Sequence, residues 1–191
     1  MRRNDDRRLA LVDAAVEVLA RDGARGLTFR AVDAEAGVPK GTASNYFPSR
    51  DALLDQVGTH IHVRLAPDPA QVQETLDAPR DRELVVRFMR DILRRVHADR
   101  AGYLALLELR LEATRRPELR AGFTETMRAQ LEGSIAFHLD SGLPGDRTTV
   151  ELLYIAMTGL IVESLTLPGV LGDEEALVSA LVERAATIAA R

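Results

Sequence analysis

Residues 28–54 read TFRAVDAEAGVPKGTASNYFPSRDALL, and this stretch decides the fold. Thr28 offers a side-chain oxygen as N-cap to a helix running to about Ala36, with Phe29, Val32 and Ala36 facing inward. Gly37 supplies the left-handed residue that ends it. Pro39 suits the first turn of a third helix reaching about Tyr46, because its missing N–H would have no partner there anyway. Pro48 stops that helix, and Ser49 caps a fourth with Asp51 in its first turn. Leu53, Leu54, Val57 and Ile61 mark the buried stripe of this fourth helix to about Arg64. Fragments of under about ten residues are unstable alone in water, so two of them joined by a tight Gly-containing turn need a reason to stay short. A helix-turn-helix supplies one: its second helix only has to cross a DNA major groove roughly 12 Å wide.

Outward from this stretch, Asn4 or Asp5 caps a first helix to about Arg21, with Leu9, Val12, Ala15, Val16 and Leu19 on one face. Asp22-Gly23 stops it. The segment APDPAQVQETLDAPRD after Leu65 reads as a linker containing a helical turn. Beyond it, helices are expected at about 81–98, 101–115, 117–140, 147–166 and 173–190, separated by Pro- and Gly-rich punctuation. The fold class is therefore all-α, with about nine helices: a three-helix N-terminal domain at 1–48, a connecting helix four at 49–66, and a larger helical domain at 67–191.

Composition agrees. The 191-residue chain is 46% apolar but only 4% aromatic and has no Trp, so Leu, Ala, Val and Ile do the packing, a helix-leaning choice. It has no Cys, which removes disulfides, thiol nucleophiles and thiolate metal sites and suits a reducing cytoplasm. The longest apolar run, between Glu151 and Glu163, falls short of the roughly 20 residues that span a bilayer, and a soluble protein with no membrane partner is expected. The net charge is −4, yet residues 1–64 carry ten basic against nine acidic side chains while the remainder carries fifteen against twenty. A polyanion is steered to the first third.

Nothing recommends catalysis. His60 and His62 are the only closely spaced histidines, and an i, i+2 spacing puts them on different sides of a helix. No GxSxG and no Gly-rich phosphate loop is present. No enzyme activity, metal or cofactor is expected.

Leu27-Thr28, Arg30, Ala36-Gly37-Val38, Lys40-Gly41-Thr42, Tyr46-Phe47 and Ser49-Arg50-Asp51-Ala52-Leu53-Leu54 together resemble the signature of the TetR family of bacterial transcriptional regulators, over about residues 8–56. LLELRLEATRRPEL at 106–119 has a fainter counterpart in TetR-like C-terminal regions. Two positions depart: Ala43-Ser44 stands where the family usually has Leu-Tyr, and Asp33 where it usually has Ala. The resemblance implies a ligand-responsive DNA-binding regulator in the bacterial cytoplasm, at the nucleoid. It would be a repressor released from a palindromic operator by an effector.

If the third helix lies in the groove, Lys40, Gly41, Thr42, Ser44, Asn45 and Tyr46 face DNA. Lys40 is the only lysine and reaches guanine or phosphate; Asn45 either pairs bidentately with adenine or sits polar on an exposed face. Tyr46 gives its hydroxyl to phosphate. Thr28 places a helix N-terminus at a phosphate, and Arg30 and Arg50 add charge along the backbone. Arg2, Arg3, Arg7 and Arg8 are either a solvated tail or an arm into the flanking groove. One motif makes few base contacts, so specificity requires two on a homodimer, about 34–36 Å apart.

The helices at 147–166 and 173–190, apolar over most of their surface, are the expected four-helix interface, with Gly159 allowing close approach, and a charged residue at Leu160 is expected to yield monomers. Phe88, Met89, Leu93, Tyr103, Leu107, Leu111, Phe123, Met127, Phe137, Tyr154 and Met157 are candidate walls for a small apolar effector, with Glu108, His138 and Thr158 as polar handles. The rival reading is a helical protein-interaction adaptor that has lost DNA binding.

Overall fold

A computed structural model describes residues 2–188, with side chains from Asn4 to Ala186. Among the described residues it contains ten α-helices and no strand: α1 Arg2–Gly26, α2 Phe29–Glu35, α3 Thr42–Tyr46, α4 Arg50–Arg64, α5 Pro69–Leu76, α6 Arg82–Ala98, α7 Arg100–Ala113, α8 Pro117–Asp140, α9 Arg147–Thr166 and α10 Glu174–Ile188. The helix added to the expected set is α5, in the linker. Asp68 caps it, accepting from the Ala70 N–H at 2.9 Å, and Pro69 occupies its first turn.

Contacts divide the chain into two compact units. One comprises the residues up to Ala66 together with Asp99–Thr124; the other comprises Pro67–Ala98 and the residues from Glu125 onward. In the first unit α1 packs on α2, α4 and α7, and α4 also packs on α7. Leu11, Val12, Ala15, Val16, Val18 and Leu19 of α1 are buried, as are Leu53, Leu54, Val57 and Ile61 of α4. Leu9, expected on the inner face of α1, is exposed; Leu11 and Val18 take up the width of the buried stripe instead. Gly23 breaks α1 with φ +68° and ψ −178°, a conformation that side-chain-bearing residues avoid. Asp22-Gly23 thus acts as the stop its composition implied.

The lower end of α4 is tied by charge. The Arg64 guanidinium meets Asp99 in two hydrogen bonds of 2.8 and 2.6 Å and also reaches Glu17 at 3.3 Å, while Asp99 caps α7 by accepting from the Gly102 N–H at 3.0 Å. Burial alone raises the Asp99 carboxyl, but the Arg64 hydrogen bonds, the Gly102 N–H and the neighbouring cations outweigh it and hold the carboxyl below the ordinary carboxylate range. A carboxylate depressed in the folded state contributes stability above its unfolded pKa, and that contribution is lost as pH falls through the folded value. Acid unfolding of the wild type is therefore expected to steepen below about pH 4, and Asp99→Asn to flatten that part of a stability-against-pH curve measured by urea melts. An unchanged curve refutes the role given to this carboxylate.

In the second unit α10 packs on α9 and α6, and α6 on α9. The core is built from Leu84, Val85, Leu93 and Val96 of α6, Leu153, Met157, Leu160, Ile161 and Leu165 of α9, and Val178 and Val182 of α10. By length and composition α9 is apolar enough to cross a membrane, because the helix extends beyond the Glu151–Glu163 run at both ends. Here it is a packed helix, capped by Asp146 and Thr149 in a reciprocal capping box.

Candidate functional site

The motif at 28–54 folds as two short helices at the end of the first unit, built by local chemistry. Thr28 caps α2 by accepting from the Ala31 N–H at 3.1 Å. Gly37 takes φ +63°, and the Val38 N–H closes the turn on the Asp33 carbonyl at 3.0 Å. The third helix begins at Thr42, later than Pro39, because Gly41 adopts φ +89° and leaves Lys40 in the turn ahead of it. At 1.5 Å per residue, five residues give a rod of about 7.5 Å. Ser49 caps α4 through the Ala52 N–H at 3.1 Å.

The residues proposed for DNA separate into two kinds. Thr28, Arg30, Lys40, Gly41, Ser44 and Asn45 are exposed, and Thr42 and Tyr46 are half-buried. Lys40 and Asn45 carry no hydrogen bond or ion pair among the described residues, so their polar ends are available. Thr42 and Ser44 donate their hydroxyls to the carbonyls of Pro39 and Gly41 and stabilise the turn. Arg50 is turned inward: its Nε donates to the Leu27 carbonyl at 3.0 Å, a second nitrogen donates to the Ala24 carbonyl, and Glu112 lies 3.9 Å away. It holds the α1–α2 turn.

Beneath the motif, Ala43 and Phe47 are buried, the former at the position where the resemblance led one to expect Leu. Arg8 stacks over the Phe47 ring, 5.0 Å from its centroid, and donates to Gln56, so it belongs to the packed motif. Arg7 is exposed, and the side chains of Arg2 and Arg3 lie outside the described residues.

Sequence reasoning missed Asp33. Its carboxylate is 2% exposed and accepts from the Gly41 and Ala43 N–H groups, each at 2.7 Å. The signal was legible: an acidic residue on α2 stands eight positions ahead of an N-cap glycine that has no side chain of its own.

It also missed what the ELRLEATRRP segment does. Glu108 accepts from the Ala24 N–H at 3.1 Å, where α1 has just broken. Glu112 pairs with Arg116 at 2.6 Å, and Arg116 reaches Asp51 in the first turn of α4. Glu108, expected to be a ligand handle, is therefore bonded to the α1 terminus. Glu108, Glu112 and Arg116, with Leu27, Phe29, Leu53 and Leu111, line an open cavity of about 940 Å³.

The effector candidates fall in both units. In the first, Tyr103 is buried, Leu107 is half-buried and Leu111 is exposed. Phe123 stacks on His62 at 6.1 Å between centroids; burial pushes the His62 pKa down, and its Nε2 is buried without a hydrogen-bond partner. In the second, Phe88 meets Phe137 edge-to-face at 5.5 Å, Leu93 and Met157 are buried, and Met89, Met127 and Tyr154 are half-buried. Two of the polar handles are committed locally: His138 Nε2 bonds the Pro144 carbonyl at 3.1 Å, and Thr158 donates to the Tyr154 carbonyl at 2.7 Å. Among the described residues no cluster of His, Asp and Glu could hold a metal ion.

Comparison with known proteins gives a consistent result. The model described as "Bacterial regulatory proteins, tetR family" matches residues 11–57, and that described as "Tetracyclin repressor-like, C-terminal domain" matches residues 80–187. Among curated proteins none matches significantly. Of the solved structures, the multidrug binding protein EbrR complexed with imidazole is 30% identical, with a TM-score of 0.64, covering 94% of this chain and 94% of its own. A TetR-family member from Streptomyces coelicolor A3, SCO1917, is 28% identical with a TM-score of 0.68, covering 94% of this chain and 97% of its own. The regulator FadR from Bacillus subtilis, in complex with stearoyl-CoA, shares the fold at 19% identity and a TM-score of 0.70, covering 94% and 97% of the two chains.

Proposed function

The chain belongs to the TetR family of ligand-responsive DNA-binding transcriptional regulators, and on that premise we propose that α3 is its operator-reading helix, carried in duplicate by a homodimer and released by a small apolar effector. The observation that carries this reading is the pairing of an exposed, unbonded Lys40 and Asn45 with a fully buried Ala43 and Phe47, all within α3 and the residues that flank it. One face is anchored and the other is offered outward. Residues 1–48 form the reading domain, α4 the connection, and residues 67–191 the regulatory and dimerising part, working in the bacterial cytoplasm at the nucleoid.

Release is a population shift. An effector that prefers a conformation with the two reading helices off their matching spacing weakens operator binding by the same factor by which operator weakens effector binding, commonly worth about 1–3 kcal/mol. Within the first unit α7 is the natural carrier of such a shift. Glu108 holds the end of α1, Glu112 faces Arg50, and Arg116, in the turn just after α7, holds the first turn of α4, so a displaced α7 drags the α1–α2 turn and α4 together. The unpartnered His62 Nε2 beside Phe123 supports a polar contact to effector from α4. That EbrR is a multidrug binding protein complexed with ethidium supports a lipophilic effector class.

The test is selection of genomic fragments by purified protein, followed by fluorescence anisotropy on the enriched palindrome. Lys40→Ala is expected to weaken binding about tenfold or more and to lower the salt slope by about two, one for each protomer. Asn45→Ala is expected to cost about 1–3 kcal/mol in each half-site and to relax the preference at one base pair of each. Tyr46→Ala is expected to weaken all sequences alike. Wild-type binding with no salt dependence would instead favour the adaptor.

A further inference from the structure

We propose that Asp33 is a positioning residue for operator recognition: from α2 its buried carboxylate caps α3 across the turn and fixes the direction in which the reading side chains leave the motif. This rests on α3 being the DNA reader.

The need for such a group follows from the geometry of α3. A five-residue helix is far below the length at which a helix holds itself together, and its first N–H groups have no intrahelical acceptor. Its N-cap is Gly41, which has no side chain, and no cap bond arises from that position. Three donors nevertheless find acceptors. The Thr42 N–H bonds the Pro39 carbonyl at 3.2 Å, while those of Gly41 and Ala43 go to Oδ2 and Oδ1 of Asp33, each at 2.7 Å. Both carboxylate oxygens are used, one on each side of the helix start. That bidentate grip resists rotation of α3 about its own axis as well as fraying. Hydrogen bonds to an ionised carboxylate are stronger than neutral ones, and at 2% exposure water does not compete for them.

Two consequences separate this role from simple packing. The amides at the start of α3 are consumed inside the protein, so they do not bind a DNA phosphate, and anchoring falls to side chains such as Lys40. Asp33 is also an acidic group inside a surface that approaches a polyanion. Its charge opposes non-specific binding while its geometry favours the specific complex, so removing it lowers the specific affinity without lowering the non-specific one.

The experiment compares wild type, Asp33→Asn and Asp33→Ala by anisotropy on the selected operator and on a scrambled duplex of equal length. Asparagine keeps the volume but offers one acceptor oxygen and places an NH2 against the second donor. For both variants, operator affinity is expected to fall about tenfold or more while scrambled-duplex affinity stays equal or rises. Parallel losses on both duplexes, or no loss on operator, overturn the proposal. Amide hydrogen exchange on free wild-type protein tests the clamp without any variant: Gly41 and Ala43 are expected to be as protected as the α2 amides, and rapid exchange at both overturns it. A wild-type protein that does not distinguish operator from scrambled duplex overturns the underlying reading of α3, and this proposal with it.

Discussion

Replacing Ile155 by glutamate is expected to yield a folded monomer whose operator affinity is lower by roughly a thousandfold, the scale on which two linked binding events exceed one. Ile155 is 65% exposed in the middle of a helix whose opposite side, Leu153, Met157, Leu160 and Ile161, is core. One turn later Gly159 is exposed, and a Cβ built there would meet nothing within 4 Å. Leu167 and Val170, just past the end of α9, are exposed as well, and so are the small residues Ala176 and Ala180 of α10.

In the proposed homodimer a second copy of α9 and α10 would cover this surface in a four-helix interface, and a carboxylate buried there without a partner would cost several kcal/mol. Ile155 takes no part in its own protomer's core, so the variant is expected to keep its helicity. Leu160, where the sequence led one to expect that a charge would yield monomers, is 5% exposed and belongs to the core; a charge there would unfold the second unit. Sedimentation velocity at micromolar concentration decides: a surviving Ile155→Glu dimer removes this face from the interface.

The largest loss of stability is expected from Phe47→Ala, about 3–5 kcal/mol out of the roughly 5–15 kcal/mol by which a folded domain exceeds its unfolded state. Phe47 is 1% exposed and is the C-cap of α3, its N–H bonding the Ala43 carbonyl at 3.0 Å. Its ring is covered by the Arg8 guanidinium. Truncation leaves a cavity under the shortest helix of the fold and removes the cover on Arg8. Urea melts followed by circular dichroism measure it, and a loss below about 1 kcal/mol would show that the ring is not structural. The two variants differ in kind: Ile155→Glu separates intact protomers, whereas Phe47→Ala loosens the reader within each.

The parts of the molecule that were legible in sequence are those in which one residue and its immediate neighbours carry the cause. Thr28 and Ser49 cap the helices that follow them, Gly37 takes the left-handed turn, and Leu53, Leu54, Val57 and Ile61 form the stripe of α4, because capping bonds and helical periodicity act within one or two turns. The start of α3 was placed three residues early for a related reason. Pro39 is compatible with a first turn, but Gly41 at positive φ is not compatible with continuing one.

Three further features depended on distance. Arg50 looked like a free charge and is spent on carbonyls 23 and 26 residues away. Glu108 looked like a ligand handle and bonds an amide 84 residues away. Asp33 looked like a departure from a family pattern and is the cap of another helix.

The amino-acid order by itself determined that this chain is helical, where most of its short helices begin and end, and that the stretch around residues 28–54 is a helix-turn-helix, since periodicity, caps and breakers are local and do not wait for the rest of the chain. Only the tertiary structure decided which side of α9 is core and which is open, and which charges are spent within the protein. A helix apolar all round carries no local mark of the face its neighbours will cover, and a charged side chain's partner is chosen by where distant backbone comes to rest.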